Sequence, residues 1–153
     1  MCSRSDDMTA NPNLTLPVAL SCRCNKNGLK LLIASAKLLS RGTNVIQLFD
    51  KDEDLLARFL PAYFNALMRA KDRRMRAKTL QMEFLLLVAK TMKLDRALER
   101  HGAKGNEFLL FASSQRLAKR FVAANKVEVK KWHALQFKPE VAEGIALAEL
   151  REG

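Results

Sequence analysis

An eleven-residue run, TLQMEFLLLVA (Thr79 to Ala89), is almost entirely apolar and constrains the fold more than any other segment. It predicts a helix with two apolar stripes at 100° per residue. One stripe comprises Leu80, Phe84, Leu87 and Val88, and the roughly opposite one Met82, Leu86 and Ala89. One stripe can pack on a sheet. The other needs cover, either from another helix of this chain or from a partner protein.

The segment before this run, RAKDRRMRAK (Arg69 to Lys78), carries a concentrated positive charge. Six of its ten residues are basic, opposed only by Asp72: Arg69, Lys71, Arg73, Arg74, Arg76 and Lys78. Arg grips phosphate oxygens bidentately, and cations that converge on a groove bind nucleic acid. Cations near a helix C-terminus also favour the helix dipole, but this cluster exceeds what the dipole requires. The segment therefore predicts contact with a phosphate backbone.

A second basic set, Arg116, Lys119 and Arg120, has the spacing of one helix face. Two interpretations remain open, an extension of the same groove or an ordinary solvated face. The formal net charge of +11 favours nucleic acid or another anionic surface as the partner.

The order of predicted elements indicates the fold class. We expect a strand at Val18–Asn25, a helix at Leu29–Ser40 with a buried stripe of Leu31, Leu32, Ser35, Leu38 and Leu39, and a strand at Asn44–Phe49. The next helix is capped by Asp50 and is kinked or restarted at Pro61. Thr79 caps the helix after it. A helix at Leu94–His101 and a strand at Glu107–Ser113 follow. The remaining predicted elements are a helix capped by Ser113 or Ser114, a short edge strand at Val127 and Val129, and a last helix from Pro139. This order predicts an α+β fold, a small sheet of three to four strands with a helical layer packed on it.

The length of 153 residues and the 48% hydrophobic content fit one folded domain, expected at 15–153 after a mobile tail at 1–14. No apolar run approaches the length of a membrane span, and the first residues lack a signal-peptide core, so a cytoplasmic protein is expected. Cys22 and Cys24 share one face of a strand, where buried thiols are favoured over a metal or redox role.

Catalytic patterns are weak. Glu83, the acid inside the apolar helix, is interpreted as a buried carboxylate paired with an Arg, with general-acid chemistry as the alternative. His101 lies at a predicted helix end and His133 follows Trp132, and neither has a triad partner apparent in the sequence. No Gly-rich phosphate loop is present. We therefore expect no enzyme, no metal, no cofactor and no small-molecule substrate.

The stretch from Arg73 to Ala112, RRMRAKTLQMEFLLLVAKTMKLDRALERHGAKGNEFLLFA, resembles the small kinase-binding subunit of the KEOPS (EKC) complex, the PRPK-binding protein family. The shared pattern begins with a helix rich in Ala and Asn, here AYFNALMRA (Ala62 to Ala70), and basic residues. It continues with Thr79, Leu80 and Glu83, then a short helix with Leu94, Ala97 and Leu98, then Gly102 and an apolar strand. The resemblance covers about 50 residues, and the rest of the chain agrees only in the order of its elements.

The resemblance implies a non-catalytic subunit with a mixed α/β fold that docks on the kinase-like ATPase of the complex. It also implies tRNA binding, notably at the 3′ CCA end, in support of threonylcarbamoyl-adenosine formation. Arg73, Arg74, Arg76 and Lys78 match the basic stretch of the family and inherit the tRNA role. Met82, Leu86, Leu94 and Leu98 inherit a role in facing the kinase, which Ala89 on the same stripe shares.

The sequence departs from the family pattern in two places. Members often have Gly after the Ala-rich helix, where this chain has Asp72 and Arg73, and many have a Ser-Gly turn where it has Ala89 to Leu94. Two alternatives stay open, a stand-alone RNA-binding module and a small enzyme that uses Glu83 or His101.

Overall fold

The structure is a computed structural model that describes residues 16–25 and 28–135. The strands are β1 (Val18–Arg23), β2 (Ile46–Asp50), β3 (Glu107–Ala112) and β4 (Glu128–His133). The α-helices are α1 (Leu29–Leu39), α2 (Leu56–Lys71), α3 (Leu80–Ala89), α4 (Leu94–His101) and α5 (Gln115–Asn125), and a short 3₁₀-helix spans Glu53–Leu55. The expected α+β fold is confirmed. The predicted mobile tail, the turn at Asn27 and the helix from Pro139 lie outside the described residues.

The four strands form one antiparallel sheet in the order β2-β3-β1-β4. Strand β3 lies between β1 and β2, and β1 lies between β3 and β4. The sequence therefore builds two split β-α-β units, β1-α1-β2 and β3-α5-β4, which interleave in the sheet. Helices α2, α3 and α4 form an insertion between β2 and β3 that joins the two units.

Both faces of the sheet are covered, because the strands alternate apolar side chains toward two cores. Helices α1 and α5 cover one face, over Leu20, Ile46, Leu48, Phe108 and Leu110. Helices α2, α3 and α4 cover the other face, over Ala19, Phe49, Leu109 and Phe111. Aromatic rings fill this second core, in a tilted contact with centroids 4.3 Å apart for Phe84 and Phe111 and an edge-to-face contact with centroids 5.5 Å apart for Phe59 and Phe111.

Helix α3 occupies the centre of that second layer. Every residue of α3 except Met82 is buried. Helix α2 packs on one side of it and α4 on the other, and Leu86 and Ala89 belong to the same core as Ala97 of α4. The second apolar stripe is therefore covered by this chain's own helices.

The two edges of the sheet differ. At the β2 edge, the Ser40 hydroxyl accepts from Ile46 N at 2.9 Å and the Gln81 amide donates to Ile46 O at 2.7 Å. At the other edge β4 is largely exposed and carries Lys130 and Lys131, a composition that discourages pairing with another strand. An edge strand is confirmed at Val129, but it spans Glu128–His133, and Val127 precedes it.

Two local predictions were wrong. The buried face of α1 is Leu32 and Ala36, whereas Leu31 and Leu38 are 73% and 67% exposed. Two apolar series with helical spacing overlap in α1, and only docking on the sheet selects between them. The cap before the 3₁₀-helix is Asp52, which accepts from Asp54 N at 3.0 Å, because β2 extends through Asp50.

Of the two outcomes predicted at Pro61, a restarted helix is wrong, because α2 is assigned as one helix across that position, and a kink stays a prediction. Pro61 lies in the second turn, so its missing N–H costs one hydrogen bond near the helix start. Phe59, Ala62 and Ala66, all fully buried, anchor the helix on both sides of that position.

Three helices end at basic residues in the left-handed conformation. Arg73, Lys90 and Lys126 follow α2, α3 and α5 with φ of 55°, 56° and 53°. Gly is the residue that adopts this conformation without strain. The Arg73 position is one where the sequence lacks the Gly of the family pattern.

Candidate nucleic-acid interface

The basic loop, residues 73–78, joins α2 to α3 at the surface. Arg73, Arg74, Arg76 and Lys78 are exposed, as is Lys71 in the last turn of α2. Arg74 pairs loosely with Asp72 at 3.2 Å, in an exposed contact of little energy. The Arg76 guanidinium contacts the sulfur of Met92. Five of the six cations predicted from this segment therefore point to solvent.

The sixth cation, Arg69, lies inside the protein. Its side chain is 5% exposed and forms an ion pair with Glu83, which is fully buried. Arg69 therefore adds nothing to the surface charge, and it holds α2 against α3. The interpretation of Glu83 as a buried carboxylate paired with an Arg is confirmed.

Glu83 also binds the basic loop. Its Oε1 accepts hydrogen bonds from the backbone amides of Arg76 at 2.8 Å and Ala77 at 2.9 Å, while Oε2 faces Arg69. Thr79 caps α3 as predicted, accepting from Met82 N at 3.2 Å. Both carboxylate oxygens of Glu83 thus form hydrogen bonds inside the protein.

The second basic set divides in two. Arg116 and Arg120 line a cavity of about 390 Å³ at the start of α5, and Lys119 does not. Thr43, Asn44, Tyr63 and Ser113 complete the polar wall, and no acidic residue of the described chain lines it. Ser114 caps α5, accepting from Leu117 N at 3.1 Å. The positive end of the α5 dipole and two guanidinium groups thus face one concavity, an arrangement that suits an anion.

The fold brings the two basic sets to the same end of the sheet. The Gln81 amide, three residues after Lys78, bonds Ile46 O at the start of β2. The preceding residue, Val45, exchanges hydrogen bonds with Ser113 beside the cavity, both at 2.9 Å. The Tyr63 hydroxyl donates to Thr43 O at 2.7 Å and ties α2 to the same wall. These links connect the basic loop to the cavity and define the basic end.

The opposite end of the sheet also carries cations, but several of them pair with acidic side chains of this chain. Glu107 accepts hydrogen bonds from Arg23 at 2.7 Å and Lys51 at 2.8 Å, and these contacts lower its pKa to about 2. Lys104 lies 4.0 Å from Asp50. By contrast, Arg76, Lys78, Arg116 and Arg120 form no ion pair with any residue that the structure describes. The basic end therefore keeps its charge available to an external polyanion.

Several residues of the basic end escaped the sequence analysis. Asn44 was predicted only as the first residue of a strand, and Thr43 and Tyr63 were given no role in a site. The carbonyl of exposed Arg41 accepts from Asn44 N at 2.9 Å beside the cavity. No sequence spacing links these residues to Arg116, so only tertiary structure reveals their proximity.

The residues predicted to face a protein partner are unequally accessible. Leu86 and Ala89 are buried, Met82 and Leu94 are half-buried, and Leu98 is 47% exposed. Phe64 and Met68, one turn apart on α2, are 46% and 52% exposed and had not been selected. Leu98 is therefore the most exposed of the five residues predicted to face a partner.

His101, His133 and Cys22 are partly or wholly buried in the fold. The Ser21 hydroxyl lies 2.7 Å from His133 Nε2, and burial lowers the pKa of both His133 and His101. Burial raises the pKa of the Cys22 thiol to about 12, which keeps it protonated. No group of three metal-ligating side chains occurs among residues 16–25 and 28–135.

None of the helices described is long and apolar enough to span a bilayer.

Comparison with known proteins adds no relative: no family model and no curated protein matches this chain.

Proposed function

We propose that this protein is a non-catalytic accessory subunit of a KEOPS-type complex, which binds tRNA and a kinase-like ATPase in the cytoplasm. The tRNA acceptor end would lie on the basic end, and the subunit would support threonylcarbamoyl-adenosine formation by positioning its substrate. The resemblance of residues 73–112 supplies the names of the complex and its substrate.

The basic end is the observation that carries the RNA-binding part of this proposal. Two sets of cations, distant in sequence, lie at that end of the sheet, and Arg76, Lys78, Arg116 and Arg120 have no ion partner among the described residues. Each phosphate neutralised by such a cation releases counterions, so affinity depends on salt. The cavity beside Arg116 and Arg120 is a concave site for the terminal part of a strand, whereas the exposed loop suits a continuous backbone.

The test compares binding to intact tRNA and to the same tRNA without its 3′ CCA end, at two salt concentrations. We expect trimming to weaken binding to the wild-type protein. Substituting Gln for both Arg116 and Arg120 should remove most of the difference between the two tRNAs. Lys119→Gln is the matched control, since Lys119 is exposed on the same helix outside the cavity. Equal binding of both tRNAs to the wild-type protein would contradict an acceptor-end site.

The kinase-like partner is assigned to the surface around Leu98. Leu98→Glu should abolish co-purification with the kinase-like subunit, because a buried carboxylate at an apolar interface is costly. Leu31→Glu is the control, on an exposed leucine of α1 across the sheet. Loss of co-purification with Leu31→Glu alone would move the partner surface to the other face of the molecule.

A stand-alone RNA-binding module is the second candidate, and the burial of Leu86 and Ala89 favours it. Their stripe on α3 no longer requires a partner to cover it. This candidate predicts tight and specific RNA binding by the isolated protein and no effect of Leu98→Glu in the cell.

A further inference from the structure

The buried carboxylate of Glu83 contacts three segments of the chain at once. Glu83 itself lies in the first turn of α3, Arg69 belongs to the last turn of α2, and the amides of Arg76 and Ala77 belong to the basic loop. A carboxylate that accepts several hydrogen bonds, two of them from backbone amides, holds its neighbours in one geometry.

These bonds act on a loop whose Met75 and Ala77 side chains also pack against the second core. Arg74 N donates to Arg69 O at 2.7 Å at the start of the loop, and Thr79 caps α3 at its end. Between those points, two hydrogen bonds to Glu83 hold the backbone amides of Arg76 and Ala77. The side chains of Arg73, Arg74, Arg76 and Lys78 are meanwhile exposed.

We infer that Glu83 is a positioning residue for nucleic-acid binding, which holds the cations of the basic loop in place before the ligand arrives. This inference rests on the proposed RNA-binding function. A loop that is ordered beforehand avoids the entropic cost of ordering on binding, and it therefore binds more tightly than a mobile loop of equal charge. Glu83 carries a negative charge, yet on this reasoning its removal weakens binding to a polyanion.

The direction in which RNA affinity changes when Glu83 is removed distinguishes this role from a simple effect of net charge. If only net charge mattered, deleting a carboxylate beside the basic loop would strengthen RNA binding. If Glu83 served fold stability alone, its replacement would lower the melting temperature and leave affinity unchanged well below that temperature.

Single substitutions at Glu83 do not test the idea cleanly, because they leave the Arg69 charge buried without its carboxylate. Two double variants avoid this problem, Arg69→Leu with Glu83→Gln and Arg69→Leu with Glu83→Leu. Both remove the buried ion pair. The Gln side chain keeps an oxygen that can accept from Arg76 N and Ala77 N, whereas Leu does not.

Loop order is measured first, without RNA. Amide hydrogen exchange at Arg76 and Ala77 and the rate of trypsin cleavage in the basic loop should resemble wild type in the Gln variant. In the Leu variant both rates should increase by about tenfold or more, because the protecting acceptor is absent. Similar melting temperatures for the two variants establish that any difference is local.

RNA affinity is measured next, with tRNA at fixed salt and well below the melting temperature. We expect the Leu variant to bind about tenfold more weakly than the Gln variant, which should remain near wild type. Unchanged amide exchange in the Leu variant, or equal affinity despite a released loop, overturns the inference. If the wild-type protein does not bind tRNA, the proposed function is wrong, and the positioning role of Glu83 is wrong as well. The exchange data then show separately whether the loop geometry was correct.

Discussion

The side-chain amide of Gln81 donates a hydrogen bond to the carbonyl oxygen of Ile46 at 2.7 Å. This contact joins the first turn of α3 to the edge of the sheet. It places the start of α3, and with it the basic loop, beside the strand that leads to the Arg116 cavity. One buried amide thus contributes to the alignment of two basic sets that are far apart in the sequence.

Gln81→Met should destabilise the protein by about 1 kcal/mol, the usual net worth of one hydrogen bond. The loss stays modest because the Ser40 hydroxyl can turn its one proton from Ala36 O, at 2.8 Å, to Ile46 O, at 3.2 Å. The free energy of unfolding from urea titration checks this value. The double variant with Ser40→Ala should lose more than the sum of the single losses, since it leaves the buried carbonyl without either donor. Additive losses would contradict that shared role.

Arg73→Gly should stabilise the protein by about 0.5–1 kcal/mol, because Gly adopts the left-handed conformation at φ 55° without strain. It should also weaken tRNA binding by removing an exposed cation. Lys126→Gly is the matched control, with φ 53° at the far end of α5. That variant should be stabilised by a similar amount and keep its affinity. Equal effects of both variants on affinity would show that the location of the lost charge is irrelevant.

Arg74→Glu with Arg76→Glu should weaken tRNA binding and flatten its dependence on salt. The slope of log K against log salt should fall by about 0.9 for each lost phosphate contact. The control pair, Lys30→Glu with Lys104→Glu, makes the same change in net charge at exposed residues away from the basic end. An equal change in slope for both pairs would indicate diffuse attraction and no defined groove.

Acidification from about pH 7.5 to about pH 5.5 should lower the free energy of unfolding. Burial, assisted by Lys131, lowers the pKa of His133, and burial with Arg58 lowers the pKa of His101. The unfolded chain therefore binds more protons in this range, and stability falls as pH drops through the unfolded pKa of about 6.5. Glu107, with its pKa of about 2, stays ionised throughout.

Urea titrations at the two pH values measure this dependence. His133→Gln can still hydrogen-bond to Ser21 while it removes one of the two imidazoles, so the pH dependence should become smaller. His101→Gln should act in the same direction, and the double variant should show the weakest dependence. A wild-type protein that gains stability on acidification would contradict the assigned direction of both shifts.

Local chemistry in the sequence was sufficient for the elements with strong signals. Helix α4 begins and ends at the predicted residues, and Thr79 caps α3 as its position before an apolar run predicts. Ser114, one of the two predicted caps, is the one that caps α5. Leu31 and Leu38 were misassigned because overlapping apolar series in α1 satisfy helical periodicity equally well.

By itself, the sequence determined the alternation of strands and helices, the excess of positive charge and its concentration in residues 69–78, because these depend on neighbours along the chain. Only the tertiary structure decided that α3 is covered on both sides and that Arg69 is buried against Glu83. It also decided that the basic loop shares one end of the sheet with Arg116 and Arg120. Those outcomes depend on the order of strands in the sheet and on which helix faces meet, and such long-range contacts leave no periodic signal in the sequence.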